Sequence, residues 1–397
     1  MNRFPRPDFD TDYVLPLTTV PESGSHTEML ALVILILAMS ATAYLAIKRR
    51  SRKGVVAIML FSLLYFGFIR DGCTCAVGSL QNVTLALSDS GYGVPLIVLG
   101  FFLLPLLFTL FFGRVFCGSV CPLGAIQDVA VVKPIKVPNW LEHCLGLIPY
   151  LYLGLAVLFA ATGSAFIICR YDPFVAIFRF GGSFNMLLLG AAFLITGIFV
   201  ARPYCRYLCP YGVLLRWMSY FSKYHLTITP TDCIQCRLCE DACPFGAINK
   251  PTASKLPEER SVGIRRLAIM IVILPLMILL SGWCGWHLDG ILSKMHPTVQ
   301  TAEQVKSENL GETKTSTWQS KAFRESGKPI SELYEDALTI RQHFKFGGAF
   351  LGGFLALVLS IKMISLSMWR KRENYEMDKM KCLSCARCLS YCPQKKK

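Results

Sequence analysis

Apolar residues form long runs along most of the chain, and polar or charged residues separate these runs. A run of about 18 or more apolar residues is typical of a helix that crosses a membrane. Seven runs reach or approach that length, at residues 28–47, 55–70, 93–113, 146–168, 184–201, 267–287 and 347–368. The pattern predicts an all-α, polytopic membrane protein with seven transmembrane helices.

Basic residues cluster at alternate ends of the predicted spans. Arg49 and Arg50 follow the first span, and Lys371 and Arg372 follow the last. Because basic residues accumulate on the cytoplasmic side, we expect the N-terminus outside and the C-terminus in the cytoplasm. Residues 1–27 are polar, show no cleavable signal peptide and are expected on the outer side.

Charge and hydropathy together indicate where the protein resides. The chain has 41 basic and 26 acidic residues, a net charge of +15. The basic residues lie beside apolar runs, so membrane orientation explains them and we expect no nucleic-acid partner. We expect a multi-pass protein of the bacterial cytoplasmic (inner) membrane, surrounded by membrane lipid.

Eight of the 17 cysteines form two copies of one motif, C-x2-C-x2-C-x3-C-P. In this motif three closely spaced thiolates bind one iron–sulfur cluster, and the fourth thiolate reaches a partner cluster. We therefore predict two [4Fe–4S] clusters facing the reducing cytoplasm. The first motif is Cys233, Cys236, Cys239 and Cys243, and the second is Cys382, Cys385, Cys388 and Cys392.

The two motifs predict a small α+β, bacterial-type ferredoxin module that a membrane hairpin interrupts. In the crossed arrangement, Cys392 completes the first cluster and Cys243 the second. In the alternative, each motif keeps its own fourth cysteine. The predicted domains are a membrane core at 28–203, ferredoxin halves at 204–264 and 370–397, and a hairpin at 265–369 whose outer loop is 288–346.

Two shorter cysteine pairs stand at the cytoplasmic ends of the third and fifth spans. They are Cys117 with Cys121 and Cys205 with Cys209, each in a C-x3-C-P element. Residues i and i+4 share one helix face, so the four thiolates can converge on a single centre. Four thiolates suit an iron–sulfur cluster or zinc, and the neighbouring ferredoxin motifs favour iron–sulfur. The alternative is that these cysteines are buried small hydrophobes.

With two C-x3-C-P elements followed by ferredoxin motifs, the chain resembles the membrane polyferredoxins of the NosR and NapH types. The resemblance covers roughly residues 90–250 and the C-terminal motif. It implies electron transfer between a quinol or cytoplasmic donor and a periplasmic acceptor. The implied partners are other redox subunits, among them a periplasmic flavoprotein, cytochrome or reductase, with quinone as a further cofactor. The chain differs from the NosR type in having only residues 1–27 where that type carries a large flavin-binding domain.

The segments around spans two to five also read as an inverted repeat. The run from Cys75 to Gln81 matches the run from Cys121 to Gln127, and Cys169-Arg-Tyr matches Cys205-Arg-Tyr. Inverted repeats place related sites in opposite halves of a membrane. We therefore expect an outer metal centre, with inert or disulfide-bonded cysteines as the alternative. Its ligands would be Cys73, Cys75 and Cys169, completed by Cys284 or Asp172.

Together the motifs predict a membrane-bound iron–sulfur protein that carries electrons through a chain of clusters. A quinol dehydrogenase subunit and a redox-dependent assembly or regulatory factor for a periplasmic metalloenzyme are the alternatives. We identify no catalytic side chain, and the chain offers no glycine-rich nucleotide loop between a strand and a helix.

Overall fold

The computed structural model describes residues 26–72, 76–228, 233–252, 259–313, 316–368 and 371–393. These residues are mostly helical, with two short strands. Residues 1–25 of the predicted N-terminal segment 1–27 lie outside this part of the chain, and so do Cys73 and Cys75.

Within the described residues, five helical segments are long and apolar enough to cross a membrane. They correspond to predicted spans one, two, four, six and seven, and they cover His26–Lys48, Arg52–Ile69, Asn139–Ala161, Ser261–Trp286 and Ile330–Ser367. The third and fifth predicted spans are the shorter apolar helices Leu96–Phe112 and Phe184–Phe199. The membrane character is therefore confirmed, whereas the count of seven spans remains a prediction.

The described residues up to Tyr220 form twelve α-helices, α1 to α12. In order they are His26–Ala43, Arg52–Ser62, Ala76–Ser88, Leu96–Phe112, Pro122–Ala130, Asn139–Leu145, Ile148–Ala161, Ile167–Arg170, Val175–Phe178, Phe184–Phe199, Pro203–Tyr207 and Tyr211–Tyr220. Wider π-helical turns follow α1 and α2 and precede α5, at Tyr44–Lys48, Leu63–Ile69 and Phe116–Val120. Such turns frequently mark functional sites in helices, and the last of them contains Cys117.

The second part contains strands β1 and β2 and helices α13 to α19. The strands are Ile248–Asn249 and Glu376–Met377, and the helices are Leu238–Asp241, Arg260–Trp286, Asp289–Leu292, Pro297–Asn309, Trp318–Glu325, Ile330–Ser367 and Arg387–Tyr391. Helices α14 and α18 form an antiparallel hairpin in which glycines meet the opposing backbone closely, as at Gly285 and Gly348. Helix α14 exposes large apolar side chains such as Val272 and Leu279, which suits contact with lipid.

The packing of α3 to α12 follows the internal repeat. Helix α3 packs against α7 and α8, and its counterpart α5 packs against α10 and α11. Likewise α12 packs against α7, and its counterpart α9 packs against α10. The two halves of the repeat therefore use equivalent helix contacts.

The predicted loop at 288–346 is largely helical and has a core of its own. Val299 and Val305 of α16, Phe323 of α17, and Leu333 of α18 pack together there. Helix α18 continues without a break from this small domain along the membrane hairpin. A movement of this small domain would thus act directly on the long apolar helix α18.

Candidate iron–sulfur sites

A two-stranded antiparallel sheet joins the segments that carry the two ferredoxin motifs. Ile248 of β1 pairs with Met377 of β2, and Asn249 pairs with Glu376. Leu226, Ile228 and Ile248 share one core with Tyr375 and Leu389. The two segments therefore fold together, although the α14–α18 hairpin separates them along the chain.

Both motifs bend the backbone in the same way around their second cysteine. Gln235 and Arg237 flank Cys236, Ser384 and Ala386 flank Cys385, and all four have positive φ angles of 52° to 65°. Alternation of right- and left-handed residues turns successive backbone N–H groups into a concave nest that attracts anions. A thiolate-bound cluster carries net negative charge, so this backbone fits such a group.

The electrostatic neighbours of the cysteines reveal which thiols lie together. Burial raises the pKa of Cys382 to about 12, and Cys385 and Cys243 contribute to the same shift. Burial also raises the pKa of Cys388, and Cys385, Cys382 and Cys243 add to it. Cys243, from the first motif, thus lies within electrostatic reach of the second triplet.

Cys239 lies in the core that also contains Cys388, and it is influenced by the other cysteines of the first motif. Burial raises its pKa to about 11, and Cys233 and Cys236 also raise it. Buried thiols hold their protons, and a bound cation shifts them to the thiolate form that iron needs. Cys392 is half-buried after α19.

The four cysteines at the membrane face pack in or against one core. Cys121 is buried in it, and Cys117, Cys205 and Cys209 pack against it. Pro122 follows Cys121 as the first residue of α5, and Cys121 caps that helix. Proline in the first helical turn needs no N–H partner, so the C-P sequence fixes where the helix begins.

N–H groups point at three of these sulfur atoms. The Nε2 of Gln127 donates to Cys205 Sγ at 3.4 Å, and the backbone N–H of Gly212 donates to Cys209 Sγ at 3.4 Å. Arg114 lies 3.7 Å from Cys117 Sγ through Nη2. Burial raises the pKa of Cys205 to about 11, and nearby Cys117 also raises it. Hydrogen bonds to sulfur are one of the means by which proteins set cluster potentials.

No group of three or more His, Cys, Asp or Glu side chains among the described residues is spaced to hold one metal ion. A cubane cluster distributes its thiolates around four iron atoms, so this observation concerns single ions.

The membrane-face cysteines touch the second ferredoxin motif. Cys117, Cys243 and Cys385 all pack against a small cluster formed by Ala201, Phe245 and Leu383. A Cβ atom added to Gly118 would collide with the carbonyl oxygen of Leu383. Only glycine permits this approach, which places the Cys117 turn against the Cys382–Cys385 turn.

Buried charges connect the same three regions. Arg202 has a left-handed backbone (φ 51°) and donates to the carbonyl oxygens of Cys117 and Gly118. Its Nε lies 3.3 Å from Asp128, and Arg52 bonds to the second Asp128 oxygen at 3.1 Å. Arg52 also donates to the carbonyl of Cys385 at 3.1 Å. Burial alone would raise the pKa of Asp128, but the two arginines outweigh it and lower that pKa.

Further polar contacts attach the C-terminal segment to the membrane core. Arg114 donates to the carbonyl of Met380 at 3.2 Å, and Ser219 donates to that of Lys379 at 2.7 Å. The Nε of Arg114 is buried and has no hydrogen-bond partner. A cationic group with a remaining donor is well suited to an anionic cluster.

The predicted outer residues do not all lie together. The side chain of Cys169 lies close to the first turn of α3. A Cβ atom added to Gly78 of that turn would be 3.1 Å from Cys169 Sγ. Asp172 is buried and accepts a hydrogen bond from the Phe174 N–H at 3.0 Å. Burial raises the pKa of Asp172 to about 6. Cys284, by contrast, is exposed on α14, which packs chiefly against α18.

The repeat also places two fully buried glutamines in equivalent positions. Gln127 accepts a hydrogen bond from the Tyr204 N–H at 3.0 Å, and Gln81 accepts one from the Ile168 N–H at 3.0 Å. The Nε2 of Gln127 donates to the carbonyl of Leu123 at 2.7 Å and to Cys205 Sγ at 3.4 Å, whereas the Nε2 of Gln81 has no partner. An unpaired buried amide costs about 1–3 kcal/mol. The sequence shows that both glutamines belong to the repeat, but only the structure shows their hydrogen bonds.

A cavity of about 770 Å³ opens beside the membrane-face cysteines. Cys205, Arg206 and Arg216 line it together with Leu357 and Ile361 of α18. The lining therefore combines charged and apolar side chains, which suits an amphipathic ligand.

Comparison with known proteins agrees with this chemistry. Residues 94–137 and 183–229 match one family of 4Fe-4S binding domains, and residues 226–249 match a second. NirI of Paracoccus denitrificans is 33% identical over 144 residues, which are 35% of this chain and 21% of NirI. YccM of Escherichia coli, which carries the provisional name of an electron transport protein, is 27% identical over 139 residues, 32% of this chain and 36% of YccM.

An uncharacterized protein of Methanocaldococcus jannaschii is 28% identical over 185 residues, which are 46% of this chain and 77% of that protein. The chain thus spans only 21% of NirI and 36% of YccM. No solved structure matches the chain. The chain therefore contains 4Fe-4S binding domains and helices apolar enough to cross a membrane, and part of it is similar to NirI and YccM.

Proposed function

We propose that the protein carries electrons between a donor at the cytoplasmic face and an acceptor on the outer side of the bacterial inner membrane. The packing of Cys117, Cys243 and Cys385 against one cluster, formed by Ala201, Phe245 and Leu383, supports this proposal most strongly. It joins the membrane-face cysteines to both ferredoxin motifs within one small region. Electron transfer falls steeply with distance, so contact between candidate ligand sets is what a path requires.

Two [4Fe–4S] clusters in a crossed arrangement account best for the cytoplasmic cysteines. Cys243 joins Cys382, Cys385 and Cys388, which act on one another electrostatically. Cys392 would then complete the set of Cys233, Cys236 and Cys239. The paired strands and the two nests support this assignment. A bound [4Fe–4S] cluster gains and loses one electron at a time.

A third iron–sulfur centre is assigned to Cys117, Cys121, Cys205 and Cys209. Gln127 and Gly212 direct N–H groups at two of its sulfur atoms. Arg202 and Arg114 bring positive charge beside it, which lowers the energy of an anionic group in a medium of low polarity. Zinc would satisfy the ligands, but it would not conduct electrons.

A specific observation favours quinol as one possible donor. The 770 Å³ cavity joins Cys205 to an apolar surface of α18, and a quinol has a polar ring and an apolar tail. In that case the protein would act as a quinol dehydrogenase subunit with a periplasmic flavoprotein, cytochrome or reductase as partner. An assembly factor would need the clusters but no path to the outer side.

Iron analysis and electron paramagnetic resonance (EPR) of the purified protein test the proposal. Two cubane clusters supply about eight iron atoms per chain, and a third centre adds to that number. The variant Cys205→Ser should lose only the additional iron and keep the signals of the two clusters. Cys144→Ser, in the exposed helix α6, is the matched control. An iron content of eight in both variants and in the unaltered protein would reject the third centre.

A further inference from the structure

The cavity beside Cys205 lies among three helices. Helices α12 and α18 both pack against α7, and all three contribute side chains to the lining. Trp217 of α12 lies 6.0 Å from Tyr150 of α7 and 6.4 Å from Phe354 of α18, measured between ring centroids. These three rings all line the cavity and connect the helices around it.

The apolar part of the lining continues onto the exposed surface of the protein. Ile361 and Leu366 of α18 line the cavity and are more than half exposed, and the same holds for Tyr220 and Phe221 at the end of α12. Helix α18 is long and apolar enough to cross a membrane. An acyl chain of the surrounding lipid can therefore reach the cavity along this surface.

The polar part of the lining carries an excess of positive charge. Its charged side chains among the described residues are seven cations and two carboxylates, namely Arg114, Arg202, Arg206, Arg216, Lys362, Arg372, Lys381, Glu142 and Asp378. Glu142 already pairs with two of the cations, Arg206 at 3.1 Å and Lys381 at 3.3 Å. Asp378 accepts the Met380 N–H at 2.9 Å. The two carboxylates thus leave most of the positive charge uncompensated.

Groups outside the cavity account for three of the remaining cations. Arg114 and Arg202 contact the Cys117 turn, at its Sγ and its carbonyl oxygen, where the proposed cluster would supply negative charge. Arg372 pairs with Glu376 at 3.6 Å. These contacts leave two cations that face the cavity.

The two cations are Arg216 and Lys362, which have no carboxylate within ion-pair distance among the described residues. Arg216 donates to the carbonyl of Arg206 at 2.7 Å, and Lys362 donates to that of His143. A backbone carbonyl satisfies a donor but does not neutralise a charge, and an uncompensated charge in a partly enclosed site is unfavourable. The site therefore calls for an anion.

We propose that the cavity binds an anionic phospholipid, with its phosphate at Arg216 and Lys362 and its acyl chains along the apolar surfaces of α12 and α18. Arginine and lysine both bind phosphate through charge-assisted hydrogen bonds, and basic pockets between membrane helices bind such head groups. Helix α12 directly follows Cys209 and Pro210. The bound lipid would thus hold a ligand-bearing segment against the α14–α18 hairpin. This site does not depend on the proposed electron transfer, and a quinol that entered the cavity would displace the lipid.

Thermal unfolding of the purified, delipidated protein in detergent tests the site. Added phosphatidylglycerol should raise the melting temperature, because a ligand that binds only the folded protein stabilises it. Phosphatidylcholine has no net charge and inorganic phosphate has no acyl chain, so each should raise it much less. An equal rise with phosphatidylcholine, or with inorganic phosphate alone, would overturn the proposal.

Single variants assign the response to the two cations. Arg216→Gln and Lys362→Gln should each need about tenfold more phosphatidylglycerol for the same rise, because a hydrogen bond to a charged group is lost. Lys133→Gln is the matched control, since Lys133 is exposed and outside the lining. If one variant does not fold, the other decides. An unchanged lipid requirement in a variant that folds would overturn the proposal.

A water-soluble quinone analogue separates the lipid from an uncharged occupant. We expect it to raise the melting temperature less than phosphatidylglycerol does. A rise as large as that with phosphatidylglycerol, and equal in Arg216→Gln and the unaltered protein, would show that the cavity takes an uncharged head group instead. Unfolding requires no electron transfer, so these results are independent of the iron content and electron-transfer measurements.

Discussion

Arg202 and Asp128 form a buried ion pair, with 3.3 Å between Nε and Oδ1, and side-chain exposures of 1% and 4%. Arg202 also donates to the carbonyls of Cys117 and Gly118, and its guanidinium stacks on the Phe245 ring at 5.6 Å. The pair therefore holds together the membrane-face turn, helix α5 and the first ferredoxin motif.

Removal of the Asp128 charge should destabilise the protein strongly. In Asp128→Asn, Arg202 keeps a buried charge without its partner, which costs about 3–5 kcal/mol. Thermal unfolding in detergent measures the loss. The control is Lys136→Gln, which breaks exposed ion pairs to Asp241 and Glu240 and should cost less than about 1 kcal/mol. Equal melting temperatures for the two variants would contradict the role of the pair.

Gly118→Ala should separate the membrane-face turn from the second ferredoxin motif. The added methyl group would meet the carbonyl oxygen of Leu383, and such overpacking costs about 1–3 kcal/mol. We expect faster proteolysis of the segment after β2. Gly263→Ala in α14 is the control, because nothing lies within 4 Å of its added Cβ. Unchanged proteolysis in Gly118→Ala would show that the turn and the motif are not in contact.

The crossed arrangement predicts which cluster each fourth cysteine affects. Cys243→Ser should alter the EPR signal of the cluster that Cys382→Ser also alters, because Cys243 acts on Cys382 and Cys388. Cys392→Ser should alter the signal that Cys233→Ser alters. The opposite pairing of signals would mean that each motif keeps its own fourth cysteine.

The helical domain formed by α16, α17 and the start of α18 should loosen as the pH falls. Burial lowers the pKa of His296 to about 4, and its neutral Nδ1 accepts the Thr298 N–H at the start of α16 at 3.1 Å. Stability from this group is present above pH 6.5, the ordinary histidine pKa, and is lost as pH falls toward 4. Tryptic cleavage after Lys306 should accelerate over this range.

His296→Asn tests the cause of that pH dependence. Asparagine caps a helix well and does not titrate, so cleavage of this variant should change little between pH 6.5 and pH 4.5. At each pH the cleavage rate of the variant is divided by that of the unaltered protein, which cancels the pH dependence of trypsin itself. The same acceleration in both proteins would exclude His296.

Five of the seven predicted spans correspond to long apolar helices among the described residues, because a span depends on local pattern. Long apolar runs can satisfy their backbone only as helices. The fourth span was predicted at 146–168, whereas the helical segment in the structure is Asn139–Ala161. The helix ends earlier than predicted because the chain turns at Gly163 (φ 66°). The hydropathy pattern continues through that turn.

Contacts between distant segments could not be predicted in the same way. Arg202 reads in sequence as a basic residue that orients a span, yet it is buried against Cys117 and Asp128. The repeat contained Gln81 and Gln127, but their hydrogen bonds depend on how α3 and α5 pack. The exposure of Cys284 and the burial of Asp172 likewise depend on tertiary position, which sequence spacing does not encode.

Electron transfer across a sealed membrane tests the central claim most directly. The protein is reconstituted into liposomes that enclose a membrane-impermeant acceptor dye, and dithionite is added outside. The account predicts dye reduction with the unaltered protein and with Cys144→Ser, and little reduction with Cys205→Ser. Reduction no faster than in protein-free liposomes, or equally fast with Cys205→Ser, would contradict it.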